Sequence, residues 1–208
     1  MNTNRYNQSH NSRNNHGYNQ GRSHGHMQDH SHRQNQCPDR NFAIARVQGG
    51  PLRPQIRGTV TFQDVPGGTN VCIEVRGLPP FSRNRGEPPV GPHGFHIHEH
   101  GNCDVGNSDN PFMAAGEHWN PDNQPHGNHA GDFPVLFSNK GFARMCFFTS
   151  RFRVSDIINR SVIIHESPDD YRTQPSGNSG RMLACGVITR AQIDRKEIPC
   201  FCTPRTTM

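Results

Sequence analysis

Phe95-His96-Ile97-His98, set between Gly94 and Glu99, is the stretch on which the fold turns. Apolar and imidazole side chains alternate there, and in an extended strand residues two apart project from the same face. Phe95 and Ile97 would enter a buried face while His96 and His98 stand together on the other. Working outward, Thr59-Val60-Thr61-Phe62, Val71-Cys72-Ile73-Glu74-Val75, Phe142-Ala143-Arg144-Met145-Cys146-Phe147 and Ser161-Val162-Ile163-Ile164 are further strand candidates, separated by Gly, Pro, Asn and Asp. Few segments could sustain a long helix, and Val154 to Asn159 reads as a single helical turn. Leu78 to Pro92, rich in Pro and Gly, reads as a long loop. A core can be buried by about 150 residues of this kind, and the pattern predicts an all-β antiparallel sandwich or barrel.

The same region concentrates metal-binding side chains. His96 and His98 are followed by His118, by His126, His129 and Asp132, and by His165. No cysteine falls inside these groups, so the donors are imidazole and carboxylate rather than thiolate. Imidazole nitrogens suit Cu(II) in a flattened arrangement and Cu(I) when one is released, which permits one-electron cycling. His126, His129 and Asp132 form a compact turn that a fourth donor would close into a tetrahedral zinc site, and zinc has no redox chemistry of its own. A lone histidine is more often a solvated or hydrogen-bonded side chain. His93 and His100 keep that reading, the first as a structural histidine and the second as an exposed one.

The motifs resemble those of the Cu/Zn superoxide dismutase family, in the same order. They are Gly94-Phe95-His96-Ile97-His98-Glu99, His118-Trp119-Asn120-Pro121, His126-Gly127, His129-Ala130-Gly131-Asp132, Val162-Ile163-Ile164-His165-Glu166 and Leu183-Ala184-Cys185-Gly186-Val187-Ile188. The likeness runs from about Phe42 to Thr189, and the bacterial form is indicated by Cys103, five residues after His98. It implies a Greek-key β-sandwich or barrel of immunoglobulin-like type, eight-stranded, with long metal-binding and electrostatic loops. It implies copper on His96, His98, His118 and His165, and structural zinc on His118, His126, His129 and Asp132, the His118 imidazolate bridging the two. Asp169 falls where the family keeps a carboxylate that links a copper histidine to a zinc histidine.

The activity so implied is the disproportionation of superoxide to oxygen and hydrogen peroxide, with His118 carrying the proton. The alternative is a non-catalytic copper- and zinc-binding or surface-structural protein built on the same domain. One departure bears on anion guidance. The family places an arginine three residues before the second disulfide cysteine, where this chain has Met182, with Arg181 one step earlier. One step along an extended segment reverses the side chain's face. The loop bends to recover Arg181 as a catalytic residue, another cation such as Arg172 substitutes, or the enzyme is slower.

The resemblance pairs Cys103 with Cys185 in a disulfide, the alternative being two reduced thiols. Cys37, Cys72, Cys146, Cys200 and Cys202 are left without assigned partners, and Cys72 and Cys146 read as packed or surface thiols. Residues 1–36 contain no Val, Ile, Leu, Phe or Trp but hold His10, His16, His24, His26, His30 and His32. Such a segment cannot offset its ordering entropy and is expected to be a disordered tail that collects copper or zinc, or else a solvating or surface-attaching one. The expected organisation is therefore this tail, a dismutase-like domain over 37–192, and a short tail over 193–208 carrying Cys200-Phe201-Cys202. The first tail supplies much of the net charge of +5, which removes the charge as an argument for nucleic acid. No membrane span and no secretory signal are expected. The reading is cytoplasmic synthesis with a spore or cell-surface destination, as a monomer or homodimer.

Overall fold

A computed structural model describes residues 41–82, 86 and 89–191. Both expected tails, and with them Cys37, Cys200 and Cys202, lie outside the described residues. Among the described residues seven strands are formed: β1 (Phe42–Gly49), β2 (Arg57–Val65), β3 (Gly68–Arg76), β4 (Phe95–His98), β5 (Ala143–Thr149), β6 (Ser161–His165) and β7 (Met182–Arg190). They make one antiparallel sheet in the order β4-β6-β7-β1-β2-β3-β5. The strand candidates read from the sequence fall in β2, β3, β4, β5 and β6. The helical turn α1 (Val154–Ile157) stands where it was expected, with the Asp156 carboxylate accepting from the Arg153 amide at 2.8 Å.

Alternation explains the packing. Along β1 and β3, alternate residues Ala43, Ala45 and Val47, and Val71, Ile73 and Val75, are buried, with at most 1% of their surface exposed. They join Val60 and Phe62 of β2, Phe95 and Ile97 of β4, and Val162 and Ile164 of β6 in a single core. Strands near opposite ends of the sheet order share that core, which requires the sheet to curl upon itself.

The family resemblance implies eight strands, and seven are assigned among the described residues. The segment after Asp132 runs beside residues 93–96 but meets them only at single positions, His93 with Leu136 and His96 with Asp132. Pro134 has no amide to donate, and the Val135 amide donates instead to the Tyr171 hydroxyl at 2.8 Å. The ladder is therefore interrupted where an eighth strand would otherwise run.

Cysteine pairing requires a correction. Cys72 and Cys146 are not separate thiols: their sulfurs are bonded, with the Cα atoms 4.1 Å apart. The register of β3 on β5 sets Cys72 directly opposite Cys146, so both side chains leave the same face. Cys103 and Cys185 are also joined, tying the loop after β4 to β7 across 82 residues of sequence.

Candidate metal centre

Strand β4 is an edge, and its exposed backbone is what gathers the site. Ile97 donates its amide to the Gly131 carbonyl at 2.9 Å, and its own carbonyl accepts from the Trp119 amide at 2.8 Å. Gly131 in turn donates to the Trp119 carbonyl at 3.1 Å. Two loop segments thus complete the edge hydrogen bonds of β4, and the bridges His98 with His118 and His96 with Asp132 place those side chains together. On the other side of β4 lies β6, where His96 faces Ile163 in register. An irregularity between Ile164 and His165 delivers the last histidine.

Two groups of donors result. His96, His98, His118 and His165 form one, and His118, His126, His129 and Asp132 the other; within each, one donor atom per residue lies within 4.8 Å of the rest. All of these residues are buried, and His118 belongs to both groups.

The outer nitrogens are already committed. His98 donates from Nδ1 to the Gly116 carbonyl at 2.8 Å, and His165 from Nδ1 to the Gly180 carbonyl at 3.2 Å. His96 and His126 each donate from Nε2 to Asp169, at 2.7 Å and 2.8 Å, on different oxygens of that carboxylate. With the protons so placed, Nε2 of His98 and Nε2 of His165 face each other as two lone pairs at 3.3 Å. Nδ1 of His96, His126 and His129 and Nε2 of His118 are buried without any hydrogen-bond partner. Buried acceptors without a partner are costly, and a cluster of them converging on two points is the signature of a cation site.

The turn over 125–132 is organised by one carboxylate. Asp132 Oδ2 accepts from the Gly127 amide at 2.8 Å and the His129 amide at 3.0 Å. Its Oδ1 lies 3.1 Å from His118 Nδ1 and 3.3 Å from His129 Nδ1, and Oδ2 lies 3.3 Å from His126 Nδ1. Asp169 is held by the Tyr171 amide at 2.7 Å, and the Tyr171 hydroxyl donates to the Phe133 carbonyl at 3.1 Å. Gly177 closes the cage: its φ is +66°, and a Cβ there would fall on Asp169 and His126.

Burial dominates the electrostatics of the first group. It drives His96 and His98 well below the ordinary 6.5, with the neighbouring histidines adding to the effect, and pushes His165 down to about 3. His93 and His129 are lowered, again by burial first. For Asp132, burial acts to raise the pKa, but the hydrogen bond from His118 and the adjacent imidazoles outweigh it and leave the carboxyl below 3.8. Neutral imidazoles beside an ionised carboxylate are the states that bind metal.

Four further positions lie outside the donor groups. His93 is fully buried and donates from Nδ1 to the His165 carbonyl at 2.8 Å, whereas His100 lies on the surface. Arg181 stands outside both donor groups: its guanidinium forms two 2.9 Å bonds with Glu166. Met182 packs on the small apolar cluster of Phe112, Ala115, Ile163 and Cys185. The sequence did not mark Tyr171, whose amide holds Asp169, Gln174, whose side-chain oxygen accepts from the His126 amide at 2.8 Å, or the carbonyls of Gly116 and Gly180 that accept from His98 and His165. Backbone donors and acceptors leave no residue-type signature in a sequence.

Comparison with known proteins agrees with this geometry. A family model described as copper/zinc superoxide dismutase matches residues 56–188. The chain is 39% identical over 169 residues to a Cu-Zn superoxide dismutase of Deinococcus radiodurans, covering 73% of this chain and 87% of that protein. It is 36% identical over 147 residues to the one of Legionella pneumophila, covering 67% and 81%. A crystal structure of a double mutant of a SOD-like protein from Bacillus subtilis superposes with a TM-score of 0.54 at 29% identity, over 69% of this chain and 94% of that one. Because the family match runs from β2 into β7 and takes in both donor groups, the chain belongs to the copper/zinc superoxide dismutase family.

Proposed function

We propose that this protein is a superoxide dismutase, holding copper on His96, His98, His118 and His165 and structural zinc on His118, His126, His129 and Asp132. The observation that carries the reading is the sharing of His118 by two buried donor groups. When bound, copper supplies the one-electron exchange that oxidises one superoxide to oxygen and reduces another to peroxide, while zinc supplies a fixed positive charge.

The chain's own part is positional and protonic. The Gly116 and Gly180 carbonyls fix the tautomers of His98 and His165 so that Nε2 faces inward, and Asp169 does the same for Nδ1 of His96 and His126. His118 directs Nδ1 at Asp132 and leaves Nε2 without a partner. It can therefore hold a proton on Nε2 without giving up its second contact, and that atom is the chain's place for a proton that peroxide formation consumes. The core and the sheet keep bulk water from the rings, whose exposure does not exceed 6%.

The proposed organisation is a dismutase domain over 37–192, preceded by a polar tail that collects copper or zinc or else serves as a solvating or surface-attaching segment, and followed by a short tail over 193–208. Two disulfides favour an oxidising destination, such as a spore or cell surface. No helix among the described residues is long and apolar enough to cross a membrane.

The test is reconstitution with Cu(II) and Zn(II), followed by metal analysis and a superoxide-consumption assay. One copper and one zinc per chain with rapid superoxide loss is the expected result. Full loading without acceleration would instead leave a metal-holding protein of the same fold.

A further inference from the structure

The Cys72–Cys146 bridge lies away from the metal centre, on the outward face of the sheet, and plays no part in holding the donor groups. Inward residues of the same strands, Ile73 of β3 and Ala143 of β5, are buried, while Asn70 and Glu74 on one side and Arg144, Cys146 and Phe148 on the other are exposed. Cys72 is half-buried, with the chain of β2 alongside it, where the Thr61 hydroxyl reaches the Cys72 carbonyl at 3.5 Å. Strand β5 is the edge of the sheet, so among the described residues no strand lies beyond Cys146. The two sulfurs of one bond thus differ in access.

Charge points to the same sulfur. Arg144 and Cys146 are two residues apart on β5 and project from one face. Glu74 faces Arg144 in register, but its carboxylate pairs with Arg76 at 3.3 Å. A guanidinium on the same face as Cys146 favours the approach of an anionic thiolate. The Cys103–Cys185 bond is less open, because Cys185 is only 3% exposed and Cys103, half-buried, packs on the same cluster of Phe112, Ala115 and Ile163.

We infer that the Cys72–Cys146 disulfide is a thiol–disulfide exchange site, and that Cys146 is the sulfur attacked by a low-molecular-weight thiol of the glutathione class. The thiolate forms a new sulfur–sulfur bond to Cys146. The old bond breaks with its electron pair on Cys72, which takes a proton from water. A second thiolate then attacks the mixed disulfide, releasing the oxidised thiol dimer and leaving Cys146 reduced. Two small thiols are oxidised and one protein disulfide is reduced, with two electrons transferred. Access and the attacked sulfur govern such rates, and the outer bridge is favoured on both counts.

The experiment uses the full chain, with reactive thiols first blocked by iodoacetamide and reduced glutathione then added at rising concentration. Acid quenching and peptide mass spectrometry locate the adducts. Glutathione is expected on Cys146, with the outer bridge opening about tenfold or more faster than Cys103–Cys185. First adducts on Cys72, Cys103 or Cys185 would overturn the inference. So would equal rates for both bridges, or no opening at concentrations that reduce the unfolded chain. In a chain carrying Arg144→Gln the adduct on Cys146 should form about twofold or more slowly at low salt, and an unchanged rate would overturn the assignment of charge guidance to that sulfur.

Discussion

The two donor groups meet at His118 but are built in opposite ways. His96, His98 and His165 stand on β4 and β6, which are paired over four residues and covered by the core. His126, His129 and Asp132 stand on a turn, and what orders that turn is the hydrogen bonding of Asp132 and Asp169. A strand-built group is preformed by the same ladder and apolar packing that fold the domain. The turn-built group depends on two carboxylates and on the ion they help to bind, so copper-type geometry should outlast zinc-type geometry when the site is perturbed.

Removing the shared residue tests the comparison most severely. His118→Ala deletes a donor from both groups and leaves the β4–β6 ladder untouched. Activity of the metal-loaded protein is expected to fall by about a thousandfold or more, as when a residue central to a catalytic unit is lost. Circular dichroism should remain that of the folded sheet. Retention of more than a tenth of the activity would mean that the junction is dispensable.

Asp169→Asn separates the two groups. An asparagine can accept a hydrogen bond from one ring but cannot serve both His96 and His126 as an acceptor. Loss of such an outer partner typically weakens metal binding by about 10–100-fold. Chelator competition should find most of that loss at zinc, because His96 keeps its place in the β4 ladder while His126 sits on the turn. Equal losses of copper and zinc would refute the contrast between strand and turn.

The protonation of the buried rings gives a third test, on metal-free protein. His96, His98 and His165 are neutral in the fold with pKa values below 6.5, while the unfolded chain protonates near 6.5. As pH falls below 6.5 the unfolded state binds more protons, so stability present above that pH is lost progressively. For His165 the window runs from 6.5 down to about 3. The limiting slope is roughly 1.4 kcal/mol per pH unit for each such ring. Urea unfolding from pH 7 to pH 5 should show it, and bound metal should raise the stability at each pH without removing the slope, because it too holds the folded rings deprotonated while the unfolded chain takes up protons.

How far all this was legible in the sequence follows from the range of each interaction. The alternation in Phe95-His96-Ile97-His98 and in Val71 to Val75 is local, so β3 and β4 could be read directly. The donor residues were legible because their types and order match a known family. The Cys72–Cys146 bond was not, because it depends on β3–β5 register between residues 74 apart in sequence. The interrupted eighth strand was also hidden. Pro134 was visible, but the capture of the Val135 amide by Tyr171 belongs to tertiary structure. Arg181 shows the same limit, since the face it takes depends on its partner Glu166 and on the irregularity at His165.

That last residue leads to the smallest expected effect. The guiding cation implied by the family resemblance is absent from its usual position, where Met182 packs on Phe112, Ala115, Ile163 and Cys185, and Arg181 is neutralised by Glu166. Met182→Arg introduces a positive charge at a half-buried position immediately before the buried run 183–186 of β7, so its guanidinium must turn outward to stay hydrated. An anionic substrate would then meet a more positive surface, and the second-order rate at low salt should rise about two- to fivefold, a modest fraction of what full steering achieves. The gain should fade as salt is raised, because screening acts on exposed charges over about 10 Å at 0.1 M. Neither metal affinity should change, since the strand-built donors are fixed by β4 and β6 rather than by β7. An unchanged rate at low salt would show that the existing surface already guides the anion, and a salt-independent gain would assign the effect to packing on the apolar cluster instead of charge.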